Sequence, residues 1–444
     1  MRIERFVETN NLLSYEQAGF RKREECVGQV VSLVDIIQRR QNAGLNTHVL
    51  FIDIRKAFDT VPVGALLWKL QNMEFPRRTL AFLKALYTSS SARARAESLL
   101  SDPFPVQRGV RQGCPLSGLL FNLFINDILD GVAPITVPGL PRDTNPIRGL
   151  MYADDVVVFA DSEQSLLAAS TAVEQWANQW EMQFGVTKCG IISFTGHLAP
   201  RLDNPLDIRL HGQLVSRVKS YKYLGVLIDS KLDHSAWLKQ KRSALEHAIS
   251  ALHPVLANHQ LTVNYRSRIF SAVVMGKAYY GLELVDGNKS HLAPLQTTIN
   301  KGIRLFTGAR LSTAIGPLLV ETGIGSLLTR SLVSRVRLLE RSVTKRTPIN
   351  AICSGTDNDV FTLNVQGRLQ LLSTSIAHLV VECEQVTGHR IQSGLVPAIQ
   401  KSRLRLLGRT LDPGVENVYT WLRGGVLNGE ADLDQLLVGR DCGA

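Results

Sequence analysis

The chain has 444 residues, 45% apolar and 20% charged, with a formal net charge of +11 at neutral pH. That composition is ordinary for a globular protein and leaves material for about two to four folding units; with no run of eighteen apolar residues, no membrane span is expected. Six cysteines, at 26, 114, 189, 353, 383 and 442, show neither Cys-x-x-Cys nor zinc-finger spacing, and the first ten residues are polar, so the reading is an intracellular protein with reduced thiols and no secretory signal.

In chain order, Thr47–Ile54 is a short apolar run that predicts a buried strand, and helical patterns follow at Leu66–Met73 and Arg78–Tyr87. Residues 101–118 predict a strand and loop entering an amphipathic helix near Leu119–Leu129. A loop rich in proline covers 131–148. Gly149–Ala160 reads as two apolar strand arms flanking Asp154-Asp155, Ser165–Trp180 as a helix, and Ile191–Phe194 and Tyr221–Ile228 as further strands. Strand signals fade near 230. Helical patterns then run over Ser235–Leu256, Val263–Leu284, Leu292–Phe306 and Leu327–Val343, with a weaker one at Gln366–Val381. Charge is uneven along this order: residues 201–350 hold 22 basic against 9 acidic side chains, which suggests a polyanionic partner.

Asp53 ends an apolar strand, and Asp154-Asp155 sits where a tight hairpin would expose it. Adjacent carboxylates are costly to bring together without a counter-charge. A hard divalent cation removes that cost, and it takes only a few carboxylates while leaving room for water and phosphate. Two such ions can activate an attacking hydroxyl and stabilise a leaving phosphate, the chemistry of nucleotidyl transfer. A plain turn is the competing reading, because Asp is common at hairpin corners.

Three stretches together carry a resemblance. Tyr152-Ala153-Asp154-Asp155 resembles the Tyr-x-Asp-Asp box of reverse transcriptases. Asp53-Ile54-Arg55-Lys56-Ala57-Phe58-Asp59 resembles that family's first carboxylate motif. Arg111-Gln112-Gly113-Cys114-Pro115-Leu116-Ser117, continuing to Asn122, resembles a third signature in the form familiar from non-LTR (LINE-type) retrotransposons. The resemblance covers about residues 15–345. It implies an α+β right-hand polymerase with an antiparallel palm sheet, truncated fingers and a helical thumb. The implied division is partial fingers over 1–45, palm over 46–230 with fingers elements around 66–112, thumb and connection over 231–345, and a region of unassigned role over 346–444.

By the same resemblance, Asp53 and Asp154 are metal-bridging carboxylates, Asp155 is the neighbouring acid, and the Ile54 carbonyl is an extra metal ligand. Phe58 floors the sugar pocket and excludes a ribose 2′-hydroxyl; Gln112 and Gly113 line the nucleotide pocket. Lys188 neutralises or protonates departing pyrophosphate, although Gly185 and Cys189 stand where the family often has Asn and Thr. In Gln17-Ala18-Gly19-Phe20-Arg21, Arg21 is expected to clamp the triphosphate. Tyr223, Leu224 and Gly225 resemble the primer-gripping hairpin, and Lys239, Lys241 and Arg242 are expected to track the template–primer backbone. The implied cofactor is two Mg²⁺ ions, with Mn²⁺ a substitute in vitro. The implied partners are an RNA template, a DNA primer and dNTPs, in a nuclear or cytoplasmic ribonucleoprotein. The expected fingers box before Gln17 is absent, which predicts a fragment of a longer polyprotein or a decayed copy. The competing functions are an inactive nucleic-acid-binding remnant and an RNA-dependent RNA polymerase.

Overall fold

Four strands, β1 (Thr47–Asp53), β2 (Gly149–Tyr152), β3 (Asp155–Ala160) and β4 (Gly190–Phe194), form one sheet in the order β2-β3-β1-β4, with every pairing antiparallel. They belong to a computed structural model that describes residues 2–354 apart from 112, 142–143, 197–203, 286–288 and 343–344. Gln112, the helical pattern at Gln366–Val381 and most of 346–444 lie outside the described residues. Because β1 is central, its apolar run is buried along nearly its whole length, and side chains alternate between two differently covered faces.

Leu50 and Ile52 enter a core shared with α3 (Val63–Asn72), α4 (Arg77–Thr88), α5 (Ser117–Ile125) and α6 (Glu163–Gln179), through Leu66, Leu83, Phe121, Phe124 and Val173 among others. Val49, Phe51 and Asp53 alternate to the opposite face, where Phe51 stacks on Tyr221 with ring centroids 4.2 Å apart. Ahead of the sheet, α1 (Arg2–Thr9) precedes α2 (Cys26–Asn42), whose residues are buried almost all round and which packs on β2 and β1. The stretch 91–105 is two short exposed ladders, Ser91–Ala92 with Phe104–Pro105 and Arg95–Ala96 with Leu99–Leu100, where the sequence predicted extended chain only from 101.

Beyond β4, β5 (Ser220–Tyr223) and β6 (Val226–Asp229) form a hairpin turned by Leu224 and Gly225, at φ +44° and +80°. Two positive φ values in a two-residue loop are the type I′ pattern, whose twist matches that of the strands. Among the described residues, one compact unit runs to Asp233 and regains the chain from Arg341, including α12 below; the other runs from His234 to Glu340.

The second unit is helical: α7 (Ser235–Ala251), α8 (Val263–Phe270), α9 (Lys289–Thr307), α10 (Ile315–Thr322) and most of α11 (Leu327–Ser342). Phe270 and Phe306 pack with centroids 5.1 Å apart between α8 and α9. The single helix expected over Val263–Leu284 is instead α8, one π turn (Ser271–Met275), a helical turn ending at Tyr279 and a 3-10 turn at Leu282–Leu284. In the first unit, α12 (Pro348–Ser354) lies against α2, and Arg39 of α2 donates to the Ile352 carbonyl at 3.3 Å.

One core residue sets a pH dependence. Lys69 is buried on α3, where Nζ donates to the Phe124 carbonyl at 2.7 Å, pairs with Asp127 and lies 4.1 Å from the Trp180 ring centroid. Burial pushes its pKa down to about 8, with Asp127 opposing. Its folded pKa is therefore below the unfolded value of about 10.4. Between those two values the unfolded chain binds more protons, and stability rises with pH. Relative to Lys69→Met, the native protein should gain about 1–2 kcal/mol between pH 7.5 and pH 9.5. Urea midpoints of the two proteins at both pH values measure this; a constant difference would refute it.

Candidate active site

The register of β1 on β3 puts Asp53 directly opposite Asp155. Opposed residues of an antiparallel pair stand roughly 4.5–5.5 Å apart at Cα and share a face. Asp154 belongs to the two-residue turn joining β2 to β3, closed by the Tyr152–Asp155 pair. Ala153, the first turn residue, has φ +56° while Asp154 stays negative, the sign pattern of a type II′ turn. Three carboxylates separated by about a hundred residues in sequence therefore meet at one corner of the sheet.

Their electrostatics reflect crowding. Burial, together with the Asp53 charge, raises the Asp154 carboxyl above the usual range. Burial and the like charges of Asp154 and Asp53 push Asp155 up to about 6. Asp155 retains solvent access, the condition a cation needs to reach it. Among the described residues no three or more His, Cys, Asp or Glu side chains form a ready-made cage that could hold a metal ion. A hard cation taking two or three carboxylate oxygens and completing its shell with water and phosphate needs no such cage. Accessible, mutually repelling oxygen ligands fit that ion.

The segment after Phe184 frames Asp53. Gly185 N–H donates to the Asp53 carbonyl at 2.8 Å, and the Asp53 N–H donates to Cys189 Sγ at 3.4 Å. A Cβ on Gly185 would lie 2.4 Å from Asp53 Oδ2, so glycine here leaves the carboxylate its place. Lys188 ends a short 3-10 turn with Nζ 3.6 Å from Asp53 Oδ1 and its side chain 73% exposed. Ile54 is buried and bridges to Phe184.

Phe58 is half-buried, stacked on Phe121 of α5 at 4.6 Å and met edge-on by Phe20 at 6.0 Å. Phe20 itself is 58% exposed. It was not singled out from the sequence, although it stands inside the motif read for Arg21. Gly113 follows the undescribed Gln112 at φ +79°.

Three expected contacts are not available. Arg21 has a side chain only 7% exposed, paired with Glu8 at 3.2 Å and bonded to the Ser14 and Gln17 carbonyls, so it supports local structure rather than an open phosphate clamp. Tyr223 is buried 5.7 Å from the Phe51 ring, while Ser220, Lys222 and Gly225 of its hairpin are exposed and Leu224 is partly so. Lys241 is buried, donating to the Tyr280 carbonyl at 2.6 Å, with burial lowering its pKa to about 8. Lys239 is exposed, and Arg242 is half-exposed beside Glu246.

An antiparallel sheet offering acids from two neighbouring strands, beside an aromatic floor and an exposed lysine, is the layout of a right-hand polymerase palm. Comparison with known proteins narrows the class. The family model for reverse transcriptase (RNA-dependent DNA polymerase) matches residues 1–228, and the chain belongs to this family. Divalent-metal dependence is general in that family.

Among curated relatives, the RNA-directed DNA polymerase from mobile element jockey of Drosophila melanogaster is 27% identical over 301 residues, covering 66% of this chain and 32% of the relative. The probable RNA-directed DNA polymerase from transposon X-element of the same species is 25% identical over 320 residues, covering 69% and 33%. This chain thus spans about a third of the length of these relatives. Among solved structures, apo telomerase from Candida tropicalis is similar at TM-score 0.40 and 11% identity, over 90% of this chain and 58% of that one.

Proposed function

We propose that this chain is the polymerase part of a non-LTR retrotransposon protein, extending a DNA primer with dNTPs on an RNA template inside the cell. The observation that carries the reading is the pairing of Asp53 with Asp155 beside the Asp154 turn, within the region matched to the family. Two Mg²⁺ ions, replaceable by Mn²⁺ in vitro, would supply hydroxyl activation and charge neutralisation when bound.

The chain's own groups have separable tasks on this reading. Asp53 and Asp154, with the Ile54 carbonyl, hold the ions; Asp155 sets the local charge and faces the primer end. Lys188, exposed and close to Asp53, offers a proton or a positive charge to departing pyrophosphate. Phe58 walls the sugar, while Gln112 and Gly113 line the base and template side. Leu224 and Gly225 touch the primer strand. In the helical unit, exposed Lys239 and Arg242 make sequence-independent phosphate contacts that weaken with salt.

The test is extension of oligo(dT) on poly(rA) with dTTP and Mg²⁺, run beside binding of the same duplex at low and high salt. Extension that requires the divalent ion supports the polymerase. Salt-sensitive binding without any extension would replace it with a nucleic-acid-binding role.

A further inference from the structure

Gln17 lies more than a hundred residues from the acidic turn in sequence, yet its side chain ends on it. The residue is fully buried. Its Oε1 accepts from Gly19 N–H at 2.7 Å and from Ala153 N–H at 3.0 Å, and its Nε2 donates to the Ala153 carbonyl at 3.4 Å. Both polar groups of the residue preceding Asp154 are therefore engaged by one amide.

Docking of this segment onto β2 does not depend on that amide. Ala18 N–H donates to the Met151 carbonyl and Met151 N–H to the Glu16 carbonyl, each at 2.9 Å. Gln29 of α2 then donates to the Glu16 and Met151 carbonyls, each at 3.1 Å. What the Gln17 side chain adds is its reach past β2 into the turn.

The turn needs such a hold. Ala153 sits at φ +56°, a backbone region that L-residues rarely adopt and that alanine has no side-chain means to favour. Without a partner, its N–H would also be a buried donor left open. Close approach is built in as well: a Cβ on Gly19 would come within 2.1 Å of Ala153 N. The Gly19 carbonyl is held in turn by Asn122 of α5.

We infer that Gln17 is a positioning residue, which fixes the Ala153–Asp154 turn so that the Asp154 carboxylate is held at the corner where Asp53 and Asp155 pair. The inference rests on the polymerase reading for its catalytic consequence, but its geometric content is testable without turnover.

The experiment compares the native chain with Gln17→Met, which keeps the volume and removes both polar groups, and Gln17→Glu, which keeps an acceptor for the two N–H groups. Two measurements are made: Mn²⁺ affinity from the electron paramagnetic resonance signal of the free ion, without nucleic acid, and the single-turnover extension rate. Gln17→Met should weaken Mn²⁺ binding several-fold and slow extension about 30-fold. Template–primer affinity should stay within about twofold, because that surface is not touched. Gln17→Glu, which loses the donor to the Ala153 carbonyl, should recover about fivefold of the lost rate and stay below the native rate.

Unchanged Mn²⁺ affinity in Gln17→Met would overturn the inference. So would a rate loss matched by an equal loss of template–primer binding. If Gln17→Met does not fold, Gln17→Glu carries the test, and Mn²⁺ affinity and rate both equal to the native values would overturn it. A native chain that binds Mn²⁺ but extends no primer defeats the polymerase reading instead, leaving Mn²⁺ affinity to decide the role of Gln17.

Discussion

Asp154→Asn is expected to remove primer extension, with a loss on the order of 10³-fold, or about 4 kcal/mol of transition-state stabilisation. Asparagine keeps the size and one oxygen, so the turn and the template–primer surface should persist and duplex affinity should change little. The same substitution should act the opposite way on the metal-free fold. The Asp154 carboxyl is raised above its ordinary value by burial and by Asp53. A carboxyl whose folded pKa lies above its unfolded value makes the native state bind more protons than the unfolded chain in the interval between them. Stability from that group therefore falls as pH rises through the interval, and the ionised form is a burden at neutral pH.

Removing that burden should raise the melting temperature in EDTA at pH 7.5, while at a pH low enough to protonate Asp154 in both folded and unfolded chains the two proteins should converge. Loss of extension together with a gain in metal-free stability is the expected pair. An Asn variant that melts lower and also releases the duplex would show only that the fold had been damaged.

Phe58→Val is expected to relax sugar selection. The ring is pinned on two sides, stacked on Phe121 and met by the edge of Phe20, so it cannot swing aside to admit a bulkier sugar. Trimming it opens room where a 2′-hydroxyl would clash. The preference for dTTP over rUTP on poly(rA)–oligo(dT) should fall about 10²-fold, the range over which apolar walls discriminate a single hydroxyl. Most of the change should come from faster ribonucleotide incorporation. Because Phe58 is only half-buried, the stability cost should be about 1–2 kcal/mol, below that of a full core truncation. Undiminished discrimination in a folded Phe58→Val protein would assign the ring to packing alone and leave sugar choice to another residue.

The sheet and its acidic corner were readable because the signals are local. A short apolar run ending in Asp53, and two apolar arms around Asp154-Asp155, determine strand and hairpin from neighbouring residues. Helix α2 was not readable in the same way. Its Val- and Ile-rich sequence is buried nearly all round, so it has no polar stripe to mark a helical period, and its residue types lean toward strands. The break-up of the expected Val263–Leu284 helix into α-, π- and 3-10 turns likewise left no periodic trace.

By itself, then, the sequence determined the family, the antiparallel palm and the acids that meet at its corner, because motif, strand and turn chemistry are written in consecutive residues. Only the tertiary structure decided which polar side chains remain free to act. Arg21 is taken by Glu8, Lys241 by the Tyr280 carbonyl, and Gln17 by the backbone of Ala153. The reason is physical: a buried polar group goes to whichever partner the fold delivers to offset its desolvation, and that partner can lie a hundred residues away, where no local pattern records it.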